Sequence, residues 1–273
     1  MKRSMNIGLV GSGQLTRCCV MAFLPGKLGP VKASSYRLAS RMVNALKAGY
    51  AVKSYEDLDE CRLILVCVHD RNLARTVEEL AESGINWLGK SVLLCDSWMG
   101  SDEFEKLVTQ GAAAGSIWAV DTSGPARLAV EGDQEALREL KRLVDYGPPK
   151  LLELKRCRKD LYWASTSFAS SLLTPMLVSA TRCLQKAGMH PRDASGLVER
   201  TVLKSLRGHM KSGVKSWSGP LAAGDAVQLE RQIAAVTNIE KKLGTYFQQS
   251  CVLAVEAFGR DAGWVRRLIP PNP

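Results

Sequence analysis

The stretch Ile7-Gly8-Leu9-Val10-Gly11-Ser12-Gly13-Gln14-Leu15 constrains the fold of this chain more than any other. Its apolar first half reads as a β-strand, and the run from Gln14 to Phe23, closed by Pro25-Gly26, reads as a helix. Between them lies a glycine turn. Gly11 permits a tight reversal, and Gly13 lets an anionic group approach the backbone and meet the free N–H groups that open a helix. Strand, Gly-x-Gly and helix in that order form the pyrophosphate cradle of a dinucleotide-binding fold, so Gly11, Ser12, Gly13, Gln14 and Leu15 are its expected members. Thr16 stands where the fingerprint has Gly or Ala.

About twenty residues later comes Ala33-Ser34-Ser35-Tyr36-Arg37, read as the end of the next strand. An NAD-preferring site places a carboxylate there for the ribose 2′-hydroxyl. No Asp or Glu occurs between Met1 and Tyr55. Hydroxyls and a guanidinium suit a 2′-phosphate, so Ser34, Ser35 and Arg37 point to NADP(H) as cofactor. Val68 and His69, at the end of a later apolar run, are expected to border it.

Short apolar runs alternating with helical patterns predict a parallel sheet covered on both faces. The expected strands are Met5–Val10, Val31–Ser34, Leu63–Val68, Ser91–Cys95, Ser116–Val120 and Leu151–Leu154. Helices are expected over Ala39–Ala48, Asn72–Ser83, Asp102–Gln110 and Gln134–Val144. Beyond Leu154 the pattern is helical alone. A long helix over Asp160–Gly188 should be kinked by Pro175, a second starts near Pro191, Asp225 opens a third, and Ile239–Phe258 supplies another. The fold class is therefore α/β: an N-terminal Rossmann-type doubly wound parallel sheet over residues 1–154, then an all-α domain over 155–273 for substrate binding and dimerisation.

Composition narrows the function. The net charge of +10 is scattered through both halves with no basic run interleaved with aromatics, which argues against nucleic acid and suits a phosphate-rich cofactor or an anionic substrate. No apolar run reaches the roughly 20 residues needed to span a bilayer, so no membrane partner is expected. The eight cysteines include no Cys-x-x-Cys pair, and His69, His190 and His209 lack ligand spacing, so no metal is expected. Reduced core thiols, and Asn6 and glycines where a signal peptide would be apolar, make the expected location cytoplasmic.

Two resemblances add to this. Gly11-Ser12-Gly13-Gln14-Leu15 with Ala33-Ser34-Ser35 resembles the amino-terminal domain of pyrroline-5-carboxylate reductases. The whole layout more closely resembles a family of predicted Rossmann-type oxidoreductases with a helical C-terminal domain of uncharacterised function. That match is carried by Lys159-Asp160-Leu161-Tyr162, Phe168-Ala169-Ser170 and Ser218-Gly219-Pro220-Leu221-Ala222-Ala223-Gly224-Asp225. The family usually has a His-Cys-Ser-Gly turn after the strand at Val92–Cys95, a His-Pro after Ser116–Val120, and a Tyr-His pair on the long helix. Here the corresponding stretches read Asp96-Ser97, Trp118-Ala119-Val120 and Tyr162-Trp163.

In a doubly wound sheet the reacting end lies outside the carboxyl ends of the strands, which gathers His69-Asp70, Asp96-Ser97 and Asp121-Thr122-Ser123 around one crevice. Lys159 could polarise a carbonyl or hold a carboxylate. Tyr162, one turn on along the same helix face, is a candidate proton donor. These readings converge on reduction of a small carbonyl or imine by NADP(H). The alternative is an NADP(H)-binding protein without turnover, acting as sensor or assembly partner. The apolar side chains between Leu161 and Leu184 exceed what one short domain covers, so a homodimer is expected.

Overall fold

The computed structural model describes residues 7–11, 28–95, 98–121, 127–144 and 150–268. The helix expected over Gln14 to Phe23 lies outside them. The chain divides into two compact units, Met1–Ser165 and Thr166–Pro273.

The first unit carries an eight-stranded sheet of order β3-β2-β1-β4-β5-β6-β7-β8. Its strands are β1 (Ile7–Gly11), β2 (Leu28–Lys32), β3 (Tyr50–Ala51), β4 (Leu63–Cys67), β5 (Ser91–Cys95), β6 (Ala113–Asp121), β7 (Arg127–Gly132) and β8 (Lys150–Glu153). The first six run parallel in the doubly wound order, which is the Rossmann arrangement. β7 turns back antiparallel to β6, and β8 follows β7 in parallel.

Side chains alternate across the sheet, and both faces are buried. Ile7, Leu9, Leu63, Leu65 and Leu93 face Ala39 and Leu46 of α1 (Tyr36–Leu46) and Leu137, Leu140 and Leu143 of α4 (Gln134–Val144). Val10, Ile64, Val66, Val92 and Leu94 face Leu73, Val77 and Leu80 of α2 (Leu73–Ala81) and Leu107 of α3 (Glu105–Thr109). Two buried faces explain why these strands read as continuous apolar runs.

Three local readings are corrected. The second strand ends at Lys32, not Ser34, because Ser35 is committed to α1: its Oγ accepts from Leu38 N at 3.2 Å. β7 was not expected, because its apolar run is cut by Glu131, which is fully buried. The long helix after Asp160 is not kinked but broken into α5 (Lys159–Ala169) and α6 (Leu173–Lys186). Pro175 has no N–H and its ring excludes a helical carbonyl four residues earlier, so the chain restarts and puts Pro175 in the first turn of α6, where N–H groups go unpaired anyway. The division after Ser165 also falls later than residue 154. The first half of α5 is tied to the sheet through Lys159 and Trp163.

The second unit is helical: α6, α7 (Pro191–Ser212), α8 (Pro220–Ala223), α9 (Ala226–Ile239), α10 (Lys241–Ala257) and α11 (Gly263–Arg267). Its core joins Leu229 and Ile233 of α9 to Cys251, Val252 and Val255 of α10 and Val265 of α11. The motif from Ser218 to Asp225 proves to be helix-terminus hardware. Pro220 opens α8, Gly224 closes it in the left-handed region at φ +73°, and Asp225 Oδ1 caps α9 by accepting from Gln228 N at 3.0 Å. None of the described helices is long and apolar enough to cross a membrane.

Candidate functional site

At the carboxyl ends of β1, β2 and β4 a crevice of about 630 Å³ opens, lined by Gly11, Lys32, Ser34, Val68, His69 and a stripe from the start of α2. Gly11 ends β1 at φ +98°, and a Cβ there would lie 2.3 Å from the Cys67 carbonyl oxygen. Only glycine fits, because β1 and β4 approach closely at the point where the turn begins. Ser12, Gly13, Gln14 and Leu15 lie outside the described residues, as do Asp96, Ser97, Thr122 and Ser123.

Of the residues expected to choose the cofactor, Ser34 lines the crevice. Ser35 is exposed and caps α1, while Arg37 is exposed in the first turn of that helix. Val68 and His69 line the crevice wall. His69 Nδ1 accepts from Arg71 N at 3.4 Å, fixing the short turn that leads into α2.

Sequence reasoning missed a second set of lining groups. Lys32 Nζ donates to Ala33 O at 2.8 Å and lies 4.5 Å from the centre of the Tyr55 ring. Tyr55 donates its hydroxyl to Glu79 Oε2 at 2.9 Å, and Arg75 Nε donates to Glu79 Oε1 at 2.8 Å. Burial, then the Glu79 carboxylate, pushes the Tyr55 phenol above its ordinary value. The Arg75 hydrogen bond is the main cause holding the Glu79 carboxyl below its own, with Tyr55 adding to it and burial opposing it. Among the described residues the crevice thus holds two cations, Lys32 and Arg75, against one carboxylate whose oxygens are both engaged. A signal did exist for this set. Asn72, Arg75, Thr76 and Glu79 follow i, i+3, i+4, i+7 spacing, a polar helix stripe opposite buried Leu73, Val77 and Leu80.

The donor set fits a dinucleotide. Lysine, guanidinium and hydroxyl groups meet at the end of β2, where the adenosine ribose of such a cofactor rests in this fold. No carboxylate projects from β2 itself, and Glu79 enters from α2 already neutralised by its partners.

Lys159 and Tyr162 stand elsewhere on the sheet rim. Lys159 is only 2% exposed, and its Nζ donates to Met99 O at 2.6 Å and to Ser116 Oγ at 3.3 Å. The ammonium also lies 4.3 Å from the Trp118 ring centre. Ser116 passes the connection on, donating to Glu131 Oε1 at 2.6 Å. Glu131 further accepts from Ser101 N and Ser101 Oγ, both at 2.8 Å, and from Cys157 N at 3.4 Å. A buried carboxylate and a buried ammonium are therefore joined through one hydroxyl. Tyr162 is half-buried and meets Trp118 edge-on, with ring centres 5.2 Å apart.

Among the described residues Cys61, Cys67, Cys95 and Cys251 are buried. No group of three or more metal-ligating side chains occurs among the described residues.

Residues 126–251 match the family model described as a domain of unknown function, DUF2520. Known structures match over nearly the whole chain. A protein from Thermotoga maritima is 20% identical over 92% of this chain and 97% of its own, with a TM-score of 0.62. An imine reductase from Aspergillus terreus, in complex with NADPH4 and a dibenzazepine, is 14% identical over 97% of this chain and 99% of its own, with a TM-score of 0.64. A variant imine reductase from Myxococcus stipitatus in complex with NAD+ is 12% identical over 96% and 98%, with a TM-score of 0.67. The chain shares their fold. No curated protein sequence matches it.

Proposed function

We propose that this protein is an NADP(H)-dependent oxidoreductase acting on a small carbonyl or imine substrate. The observation that carries the reading is the crevice at the end of β2, where Lys32, Arg75 and Ser34 converge and no carboxylate comes from the strand. The resemblance of the glycine turn to pyrroline-5-carboxylate reductases, and the shared fold with imine reductases, support the same chemistry. When bound, the nicotinamide supplies the hydride. The chain's own residues do the rest. The turn at Gly11 admits the pyrophosphate, Val68 and His69 border the nucleotide, and Ser34, Ser35 and Arg37 join Lys32 around the 2′-phosphate. Tyr162 donates the proton, and Lys159 contributes fixed positive charge from beneath Trp118. The test is affinity. NADPH should bind more tightly than NADH, and Arg37→Ala should weaken NADPH far more than NADH, since each charge-assisted bond contributes about 1.5–3 kcal/mol. Equal affinities for the two cofactors would refute the reading.

A second reading, binding without turnover in a sensor or assembly partner, is favoured by one observation. Trp163 occupies the position where the resembled family carries histidine, and the Lys159 ammonium is bonded to Met99 O and Ser116. Cofactor oxidation during a screen of keto acids and cyclic imines separates the two. We also propose a homodimer formed by the helical unit. Leu172, Met176 and Val178 are 50%, 47% and 62% exposed, and α6 has no buried residue.

A further inference from the structure

β6 runs four residues past the last paired residue of β5: Cys95 pairs with Ile117, and β6 continues to Asp121 alongside β7. Trp118 is the first residue of that overhang, and an aromatic cluster collects on it. Its ring centre lies 5.2 Å from that of Tyr162 and 6.2 Å from that of Trp163, and Trp163 in turn lies 4.2 Å from Trp98.

The outermost member is unusual. Trp98 is 66% exposed, yet its backbone and one face of its ring are held. Its backbone N donates to Asp70 Oδ2 at 3.4 Å, its carbonyl accepts from Trp163 Nε1 at 3.2 Å, and its ring rests on Trp163. An exposed indole that is already immobilised presents a flat apolar face and loses little further freedom when something stacks on it. Asp70 directly follows His69 of the nucleotide crevice, so the platform continues the same rim.

The hydrogen-bonding groups around the platform select what stacks. The Lys159 ammonium, 4.3 Å from the Trp118 ring centre, is matched by the buried Glu131 carboxylate through Ser116, and the Asp70 carboxylate meets Trp98 N, so donors rather than net charge set the preference for an acceptor-bearing ring. Two donors also remain unspent: the buried Trp118 Nε1 has no partner, and the Tyr162 hydroxyl makes no hydrogen bond among the described residues. We infer that Trp98, backed by Trp163, Tyr162 and Trp118, is the substrate-ring subsite, taking a planar aromatic compound whose carbonyl or carboxylate points towards the Tyr162 hydroxyl. This inference rests on the reductase reading for its placement beside the cofactor.

The test uses the full-length protein in a titration calorimeter, with NADP+ present so that no ketone is reduced. Benzoylformate (an aryl keto acid), pyruvate (the keto acid without the ring) and benzylamine (the ring with a positive charge) are compared. Benzoylformate should bind at least about fivefold more tightly than either of the others, the scale of one aromatic stacking contact. Trp98→Ala, a surface change, should remove that advantage and leave pyruvate and NADP+ affinities unchanged. Equal affinity for benzoylformate and pyruvate, tighter binding of benzylamine, or an unaffected Trp98→Ala variant each overturns the subsite. The same titrations without nucleotide keep the two ideas apart. Benzoylformate preference without NADP+ affinity upholds the platform and overturns the reductase reading alone.

Discussion

Glu131→Ala should be among the most damaging single changes in the sheet unit. Glu131 is fully buried and accepts from Ser101 N, Ser101 Oγ, Ser116 Oγ and Cys157 N, so it joins β7 to β6, to the turn before α3 and to the segment before α5. Removing the carboxylate strands those donors and leaves the Lys159 ammonium buried without its counter-charge. Breaking one side of such a pair costs about 3–5 kcal/mol, a large share of the roughly 5–15 kcal/mol that stabilises a domain. Adding the four bonds separately would overstate the loss, because they share one carboxylate. Urea unfolding followed by tryptophan fluorescence reads the effect directly, since Trp98, Trp118 and Trp163 surround the network. Lys159→Met should then cost less in the Glu131→Ala background than in the native chain, with a coupling of about 0.5–3 kcal/mol. A loss under about 1 kcal/mol for Glu131→Ala, or strictly additive losses, would show that the pair is not the linkage its geometry implies.

Arg75→Ala should weaken NADPH by about tenfold, the equivalent of one charge-assisted bond, with a smaller effect on NADH; fluorescence titration checks this. Gly11→Val should yield a protein that unfolds at lower urea as well as losing cofactor, because the new side chain meets the Cys67 carbonyl; a stably folded variant would contradict that. Burial raises the Cys61 and Cys251 thiols from 9.0 to about 11. Their folded values lie above the unfolded ones, so this stability is fully present below pH 9 and is lost as pH rises towards about 11. Each contributes on the order of 2–3 kcal/mol. Cys61→Ala should flatten the fall in urea midpoint between pH 8 and pH 10.5 (about the working limits of the two states). Sedimentation at micromolar concentration should show a dimer, and Met176→Glu should return it to monomer.

Much of the sheet was legible because strands buried on both faces leave unbroken apolar runs, as at Leu63–Cys67 and Ser91–Cys95. Helix α4 was legible to the residue, its leucines recurring beside charged neighbours. β7 escaped because a buried Glu131 looks like a surface residue until its donors are known. The crevice was half legible. The glycine turn and Ser34 announce themselves locally, whereas Lys32, Tyr55, Arg75 and Glu79 converge from three separate elements. Lys159 illustrates the same limit: it ends the run Lys155-Arg156-Cys157-Arg158-Lys159, which reads as solvated surface, yet it is almost wholly buried.

The reversal at β7 also bears on how the sheet assembles. β6 and β7 pair across only residues 122–126, whereas β4 and β5, parallel neighbours, are separated by the whole of α2 and its flanking turns. Closing a short loop costs less chain entropy than closing a long one, and hairpins form within about 1–10 μs. The antiparallel pair can therefore form before any parallel pair, giving the slower crossovers a preformed surface on which to dock. Substitutions in the β6–β7 pairing should act mainly on the folding rate, and those in the β1–β4 pairing mainly on the unfolding rate.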